Sequence, residues 1–198
     1  MININNIRDH IISTLNSRLP KALTYHNTHH TLDVTKQCLS IAKEEGIIDE
    51  QILAELEIAS LYHDTGFLFV YDGHETRGCE IARAELPSFG LGEPAIENIC
   101  SLIMATKVPQ MPNNHLQKII CDADLDYLGR TDFFTTGNHL RIELIAYHLI
   151  GDNHDWEERQ LEFLQNHQYF TYTSRLKRDP AKQEIIKQLL QLKDAKTK

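Results

Sequence analysis

Apolar residues recur at intervals of three and four along almost the entire chain, and this spacing constrains the fold more than any other feature. The first stretches of this kind carry Ile4, Ile7, Ile11 and Leu15, then Val34, Cys38, Ile41 and Ala42, then Ile52, Leu56 and Ala59. Further stretches cover residues 81–86, 96–104, 116–128, 140–150, 157–167 and 180–192. Because an α-helix completes a turn every 3.6 residues, each set shares one face that can pack against other helices. The run FLFVY, residues 67–71, is the one strand-like segment, and it fits a loop or a helical turn equally well. The sequence therefore predicts an all-α helical bundle.

The length and composition of the chain favour one domain that binds neither nucleic acid nor a membrane. A chain of 198 residues, of which 41% are hydrophobic, can bury a full core. The net charge of −8 at pH 7 disfavours contacts with nucleic-acid phosphates, which need a basic face. We find no stretch of about 18 apolar residues that could span a bilayer, and no secretion signal. The four scattered cysteines lack a CxxC pair, which indicates a reducing compartment. We therefore expect a cytoplasmic protein, with its oligomeric state left open.

Histidines are concentrated in the segment YHNTHHTLDV, residues 25–34, where three of them fall within five positions. The dipeptide HD occurs at His63-Asp64 and again at His154-Asp155. The second copy lies in the polar stretch GDNHDWEE, where Asp155 and Glu158 have the spacing of a helix capping box. We interpret that copy as the start of a helix and expect the chemistry at the first copy.

Three of the predicted helices direct polar side chains toward the interior. His63 falls on the same helical face as the apolar residues that precede it. His30 lies four residues before Val34, and Asp124 lies four residues after Ile120, so both belong to apolar faces as well. The sequence therefore predicts that imidazole and carboxylate groups from separate helices meet inside the bundle.

A buried carboxylate is costly unless a positive charge balances it, and we find no lysine or arginine on the helix faces of Asp64 and Asp124. A divalent cation would provide that charge. Two imidazoles and two carboxylates form a mixed nitrogen and oxygen set that suits a borderline or hard metal. We predict one or two ions of Mn, Mg, Fe, Co, Ni or Zn, held by His30, His63, Asp64 and Asp124.

These motifs resemble those of known metal-dependent enzymes. YHNTHHTLDV resembles the YHNxxHxxDV segment of class I cyclic nucleotide phosphodiesterases. Together with LYHDTG and CDADLDYLG, it is similar to the HD-domain superfamily of metal-dependent phosphohydrolases. The resemblance implies a motif-bearing helical core over residues 25–130, with helices from residues 131–198 packed on it. It also implies that His30, His63 and Asp64 are metal ligands and that Asp124 completes the site, with Asp122 and Asp126 as competing choices.

The same resemblance implies roles for residues around the ligands. His26 matches the phosphodiesterase histidine that protonates the leaving oxygen, and a shared helix would place it beside the first ligand histidine. Asp64 would take part in catalysis and could bridge to a second ion. His74 and Glu75 in DGHETRG are candidates for a second metal or for the substrate, or else simply begin a helix. Lys107 is a candidate phosphate ligand, or else a solvated residue at a helix end.

The sequence thus predicts a metal-dependent phosphohydrolase that cleaves a phosphate ester with metal-activated water. Its expected partner is a small phosphorylated substrate such as a nucleotide. We find neither the glutamine and aromatic pair that clamps a purine in the phosphodiesterases nor a GYP motif after the HD dipeptide. Two alternatives stay open. One is an HD-type diiron oxygenase, which would need further histidines, and the other is a non-catalytic, metal-containing module that binds a nucleotide for signalling.

Overall fold

The structure is a computed structural model that describes residues 3–151 and 155–196. Within these residues the protein has nine α-helices, three short 3-10 helices and no β-strand. The α-helices are α1 (Ile4–Arg18), α2 (Thr28–Glu44), α3 (Glu50–Tyr62), α4 (His74–Glu85), α5 (Glu93–Ala105), α6 (His115–Asp124), α7 (Phe133–Ala146), α8 (Trp156–Asn166) and α9 (Tyr172–Lys196). The 3-10 helices are Thr65–Leu68, Leu86–Phe89 and Asp126–Gly129. The prediction of an all-α fold is confirmed.

Short polar residues fix the starts of the helices that approach the candidate site. The side-chain oxygen of Asn27 accepts hydrogen bonds from the N–H groups of His29 and His30, at 2.9 and 3.2 Å, and so begins α2. Asp49 caps α3 in the same way. Such caps satisfy N–H groups that the first turn of a helix leaves without an intrahelical partner. Helix α2 ends just before Gly46, whose φ of +85° is accessible to glycine at little cost.

The larger hydrophobic core lies among helices α1 to α6, and α2 packs against both α3 and α6. Its fully buried members include Ile11, Leu56, Ile103 and Ile119. Burial of each such side chain contributes about 1.5–3 kcal/mol to folding. Because α2, α3 and α6 share this core, the beginning of α2 and the ends of α3 and α6 come to the same region of the bundle.

A second, smaller core joins α7, α8 and α9 to the 3-10 helix that follows α6. Two carboxylates add polar contacts to it. Asp122 accepts hydrogen bonds from the N–H of Phe170 and from the N–H and hydroxyl of Thr171, at 2.7 to 2.8 Å. Asp126 accepts two hydrogen bonds from the guanidinium of Arg178, at 2.7 and 2.8 Å. These contacts attach the start of α9 to the end of α6.

Several boundaries differ from the sequence prediction. Helix α9 begins at Tyr172, not at Pro180, which lies inside the helix. The contacts from α6 to the residues just before α9 fix its start, and they outweigh the missing N–H of the proline. The helix predicted over residues 116–128 is divided, because α6 ends at Asp124 and a 3-10 helix follows. The strand-like run at residues 67–71 belongs in part to a 3-10 helix.

The smaller features of the sequence agree with the structure where it describes them. Asp155 is the N-cap of α8 and accepts a hydrogen bond from the N–H of Glu158 at 3.2 Å, whereas His154 lies outside the described residues. The cysteines are buried and form no disulfide; they are Cys38, Cys79, Cys100 and Cys121. In the ranges 3–151 and 155–196, none of the helices combines the length and the apolar character needed to cross a bilayer.

Candidate metal centre

Four side chains from three helix ends meet in one polar cluster. His30 lies in the first turn of α2, His63 and Asp64 directly follow α3, and Asp124 is the last residue of α6. Nε2 of His30 lies 3.5 Å from Oδ2 of Asp64 and 3.3 Å from Oδ1 of Asp124. Nε2 of His63 lies 3.2 and 3.6 Å from the same two oxygens. Metal–ligand bonds of about 2.1 Å place neighbouring ligand atoms about 3 Å apart. Ligand atoms of His30, His63 and Asp124 all lie within 4.8 Å of one another, so these three residues are placed to hold one ion, with Asp64 beside both histidines.

The hydrogen bonds around the cluster direct lone pairs to its centre. Nδ1–H of His63 donates to the carbonyl of Ser60 at 2.7 Å, which leaves the lone pair of Nε2 facing the cluster. Nε2 of His63 and Oδ2 of Asp64 are buried and have no hydrogen-bond partner among the described residues. In that same part of the chain, no lysine or arginine pairs with Asp64 or Asp124. A divalent cation would satisfy these facing acceptors, so the residues fit such an ion.

The electrostatic field of the cluster favours positive charge. Burial lowers the pKa of His63, but the negative charges of Asp64 and Asp124 raise that pKa to about 9. Burial likewise raises the pKa of Asp64, and the neighbouring imidazoles lower it well below its usual range. The raised pKa of His63 and the lowered pKa of Asp64 both indicate a site that attracts positive charge, whether a proton or a cation. A metal ion that binds there would displace the proton from the histidine.

The two aspartates that compete with Asp124 are engaged in other contacts. Asp122 is fully buried and holds the residues before α9. Asp126 is paired with Arg178 and also lies 3.5 Å from Arg130. Asp124 instead places Oδ1 in the cluster and accepts a hydrogen bond from the amide of Gln110 at Oδ2, at 3.2 Å. The geometry therefore favours Asp124 among the three.

A second pair of predicted residues lies beside the other oxygen of Asp64. Nε2 of His74 lies 3.6 Å from Oδ1 of Asp64 and 3.5 Å from Oε1 of the buried Glu75. Nδ1–H of His74 donates to the carbonyl of Tyr71 at 3.1 Å, so its Nε2 also presents a lone pair. Asp64 therefore has one oxygen facing His30 and His63 and the other facing His74, which is the arrangement that a bridging carboxylate needs. His74 also begins α4, so it is both the start of a helix and a neighbour of the cluster.

His26 approaches the cluster from a loop. The prediction that His26 and His30 share one helix is wrong, because α2 begins only at Thr28, with Asn27 as its N-cap. The two imidazole rings nevertheless lie close together, with their centroids 5.8 Å apart. The tight turn before α2 thus produces the proximity that the prediction assigned to a helix.

Glu143, on α7, holds His26 in place and was not predicted from the sequence. Its fully buried carboxylate accepts the backbone N–H groups of Tyr25 and His26, at 2.8 and 3.0 Å, and the hydroxyl of Tyr71 at 2.9 Å. It also pairs with Nδ1 of His26. Burial lowers the pKa of His26, but the hydrogen bond to Glu143 and the charge of Asp64 raise it above its usual value. Because Nδ1 is held by Glu143, Nε2 of His26 is the nitrogen available to a ligand.

Phe67 packs against both His26 and His74 and was also missed. Its ring stacks on the imidazole of His26 with centroids 4.3 Å apart, and on that of His74 with centroids 3.8 Å apart. The ring therefore fixes the planes of both imidazoles. The strand-like run FLFVY thus supplies Phe67 and Tyr71 to this region, although its pattern alone predicts no such role.

Gly66 allows the start of α4 to approach the HD segment, and its replacement by alanine should be costly. A Cβ atom at Gly66 would lie 1.9 Å from the carbonyl oxygen of His74, which is backbone and cannot rotate away. We expect Gly66→Ala to lower the free energy of unfolding by about 2 kcal/mol or more, because α4 must move. Gly92→Ala, where the nearest atom is 3.8 Å away, is the control. Urea unfolding curves measure both, and equal stability of the two variants would contradict the expectation.

Lys107 lies apart from these residues. It is exposed, it lies two residues after the end of α5, and its side chain makes no hydrogen bond or ion pair within the described ranges. Gln110, three residues further on, contacts Asp124 instead. A role for Lys107 in binding phosphate stays a prediction.

The sequence matches the HD domain family over residues 28–126, which is half of the chain. The chain belongs to this family, whose members are generally metal-dependent phosphohydrolases. A comparison with curated proteins found no significant match. Among solved structures, the crystal structure of Bacillus subtilis YpgQ in complex with ADP is similar, with a TM-score of 0.67 and 18% identity over 98% of this chain and 97% of YpgQ. The matched residues 28–126 contain the whole cluster of His30, His63, Asp64 and Asp124, whereas His26 and Glu143 lie outside them.

Proposed function

We propose that this protein hydrolyses a phosphate ester of a nucleotide or a related small anion, with one or two divalent ions bound at the cluster of His30, His63, Asp64 and Asp124. One observation carries the proposal: at three helix ends, each of the two imidazole nitrogens lies 3.2 to 3.6 Å from each of the two carboxylate oxygens. Membership of the HD domain family supports hydrolysis as the reaction.

The residues of the cluster fit the binding of a metal and the orientation of its ligands. A divalent ion held there would lower the pKa of a bound water and polarise the phosphoryl oxygens of the substrate. Ser60 fixes the tautomer of His63, and Gln110 fixes the carboxylate of Asp124. Oδ1 of Asp64, with His74 and Glu75, would hold a second ion or orient a phosphoryl group.

His26 is the proton donor that the proposal requires. Its Nδ1 is held by Glu143, so Nε2 can give a proton to the oxygen that leaves the phosphorus atom. Glu143 also favours the protonated form of the imidazole, because its carboxylate lies beside the ring. Phe67 stacks on one face of the ring and limits its rotation.

The choice of a nucleotide rests on a different observation. YpgQ, which shares the fold, was crystallised in complex with ADP. A cluster that carries divalent ions would also attract the oxygens of a phosphate chain, which is the part that all nucleotides share. We therefore include nucleoside phosphates among the first substrates to be tested.

An oxygenase with two iron ions is a second candidate function, and the position of His74 favours it. Nε2 of His74 lies 3.6 Å from the oxygen of Asp64 that faces away from His30, where an imidazole ligand of a second ion would lie. Within the described residues, His74 is the one histidine that forms an ion pair with this oxygen. The oxygenase would require His74 and further histidines as ligands of the second ion. Hydrolysis requires no additional imidazole, so we place it first.

Metal analysis followed by an activity screen tests the proposal. We expect the purified protein to contain a divalent metal and to release phosphate or pyrophosphate from some phosphomonoester, phosphodiester or nucleotide when supplied with Mn²⁺, Mg²⁺, Co²⁺ or Ni²⁺. A chelator should abolish this release, and added metal should restore it. Consumption of oxygen by the Fe²⁺-loaded protein, without phosphate release, would favour the oxygenase. Nucleotide binding without turnover under every metal would favour a signalling module.

A further inference from the structure

A groove of about 570 Å³ lies beside the cluster, on the side of Gln110 and Leu125. Gln110 belongs to both places, because it is one of the residues that line the groove and its Nε2 donates to Asp124 at 3.2 Å. Leu125, the residue directly after Asp124, is also part of the wall. The groove is as large as typical small-molecule sites, which measure about 300–1,000 Å³. The groove therefore borders the residue that hydrogen-bonds Asp124.

The wall of the groove is largely apolar and partly aromatic. Its apolar residues come from the loop before α6, from α8 and from the segment before α9, and they are Val108, Pro109, Leu125, Phe163 and Phe170. The charged side chains in the lining are one arginine and one glutamate, Arg159 and Glu162, whose formal charges cancel. Such a lining suits a flat, uncharged ring system better than a phosphate group.

Two polar atoms in the lining residues have no hydrogen-bond partner among the described residues. One is Oε1 of Gln110, which can only accept, and the other is Nε2 of His167. Nδ1 of His167 lies 3.4 Å from the ammonium of Lys182, so Nδ1 accepts and Nε2 carries the hydrogen. Burial and the charge of Lys182 lower the pKa of His167 to about 3, which keeps this ring neutral.

A buried acceptor and a buried donor without hydrogen-bond partners each cost about 1–3 kcal/mol. A planar ring that carries both a donor and an acceptor on its edge would satisfy Gln110 and His167 together. Both atoms are shielded from solvent in the structure, so each side chain must rotate about its outer torsion, which is broad for glutamine and histidine, to present its polar atom to a ligand in the groove. Nucleobases have this combination of a flat apolar face and a polar edge, and the phosphates attached to them would reach the cluster beside Asp124.

We infer that this groove binds the base of a nucleotide whose phosphates lie at the cluster of His30, His63, Asp64 and Asp124. This inference rests on the proposed function for the position of the phosphates. It adds a site for the organic part of the substrate, and it makes Phe163 and Val108 residues that determine specificity.

Calorimetric titration of the metal-loaded protein with ADP, and separately with inorganic pyrophosphate, tests the inference. Pyrophosphate is the matched probe because it has the phosphates and no base. We expect wild-type protein to bind ADP more tightly than pyrophosphate. Phe163→Ala should weaken the binding of ADP about tenfold, the equivalent of about 1.4 kcal/mol, and leave that of pyrophosphate unchanged.

A second variant guards against a folding defect, because Phe163 also packs against the smaller core. Val108 is 53% exposed, so Val108→Trp should fill the groove without disturbing the interior. We expect it to block ADP and spare pyrophosphate. The matched control is Met111→Trp in the same loop, where Met111 is 78% exposed and lies outside the groove.

The outcomes separate this inference from the proposed function. The groove is not a base site if Phe163→Ala and Val108→Trp bind ADP as tightly as wild-type protein does. The same conclusion follows if wild-type protein binds pyrophosphate more tightly than ADP, or binds neither probe. Hydrolysis of phosphate esters could still be found in that case. If both variants lose ADP selectively while no substrate is hydrolysed, the groove is supported and the proposed activity is overturned.

Discussion

Replacement of Asp64 by alanine is expected to reduce metal-dependent turnover about a thousandfold or more, which corresponds to about 4 kcal/mol of lost transition-state stabilisation. Asp64 faces His30 and His63 with one oxygen and His74 with the other, so its removal affects both possible ion positions. Turnover at saturating Mn²⁺, together with a titration of Mn²⁺ binding, measures the effect. We expect Asp64→Asn to lose activity almost as severely, because the amide keeps the shape and lacks the charge.

Asp72→Ala is the matched control for this prediction. Asp72 is an exposed aspartate in the loop that leads to α4, and it makes no ion pair with the cluster. Its variant should keep wild-type turnover and metal affinity. Unchanged turnover in Asp64→Ala would contradict the metal centre as we propose it, whereas equal losses in both variants would indicate a general effect of charge in this loop.

Replacement of His26 by alanine should slow turnover by about 10²–10⁴-fold and leave the bound metal in place. The loss should depend on the leaving group, because a nitrophenolate departs without a proton and an alkoxide does not. We therefore expect a large defect with an alkyl phosphate and a small one with a nitrophenyl phosphate. Loss of the metal in His26→Ala would make this histidine a ligand, and equal defects with the two esters would exclude it as the proton donor.

Glu143→Gln provides the companion variant, because it changes the charge beside His26 and keeps a hydrogen-bond acceptor. The carboxylate raises the pKa of His26 against the lowering effect of burial. In the variant this pKa should fall. Since a general acid must be protonated, turnover disappears as the pH rises through its pKa, so the decline at high pH should move to lower pH. A profile identical to that of wild-type protein would show that Glu143 does not control the proton of His26.

The sequence predicts the helical fold well because its signal is local. Residues such as Ile7, Ile11 and Leu15 repeat at the period of a helix, and each is buried in the structure. Boundaries that depend on distant contacts were less predictable. The start of α9 is fixed by Asp122, which lies 49 residues before Thr171 in the chain, and Pro180 gave a misleading local signal.

The residues of the candidate site also divide into those that the local sequence predicts and those that depend on distant contacts. His30, His63 and Asp124 stand out in the sequence as polar residues on apolar helix faces, and Asp64 stands out as the partner of His63 in the HD dipeptide. The structure brings the four together. Glu143 has no such signal, since it meets His26 across 117 positions of the chain. Phe67 is an ordinary apolar residue in a short run, and only the fold shows that it stacks on two imidazoles.

The attachment of α9 to the end of α6 has a consequence for the selectivity of the metal ligands. Asp122 and Asp126 stand two positions on either side of Asp124, and both are occupied by partners from residues 170–178, beyond the half of the chain that matches the family. A chain shortened to that half would retain every candidate ligand and would also release two rival carboxylates next to Asp124. The residues before α9 and the helix itself thus hold two of these three neighbouring aspartates away from the cluster, which leaves Asp124 as the carboxylate that a cation would meet.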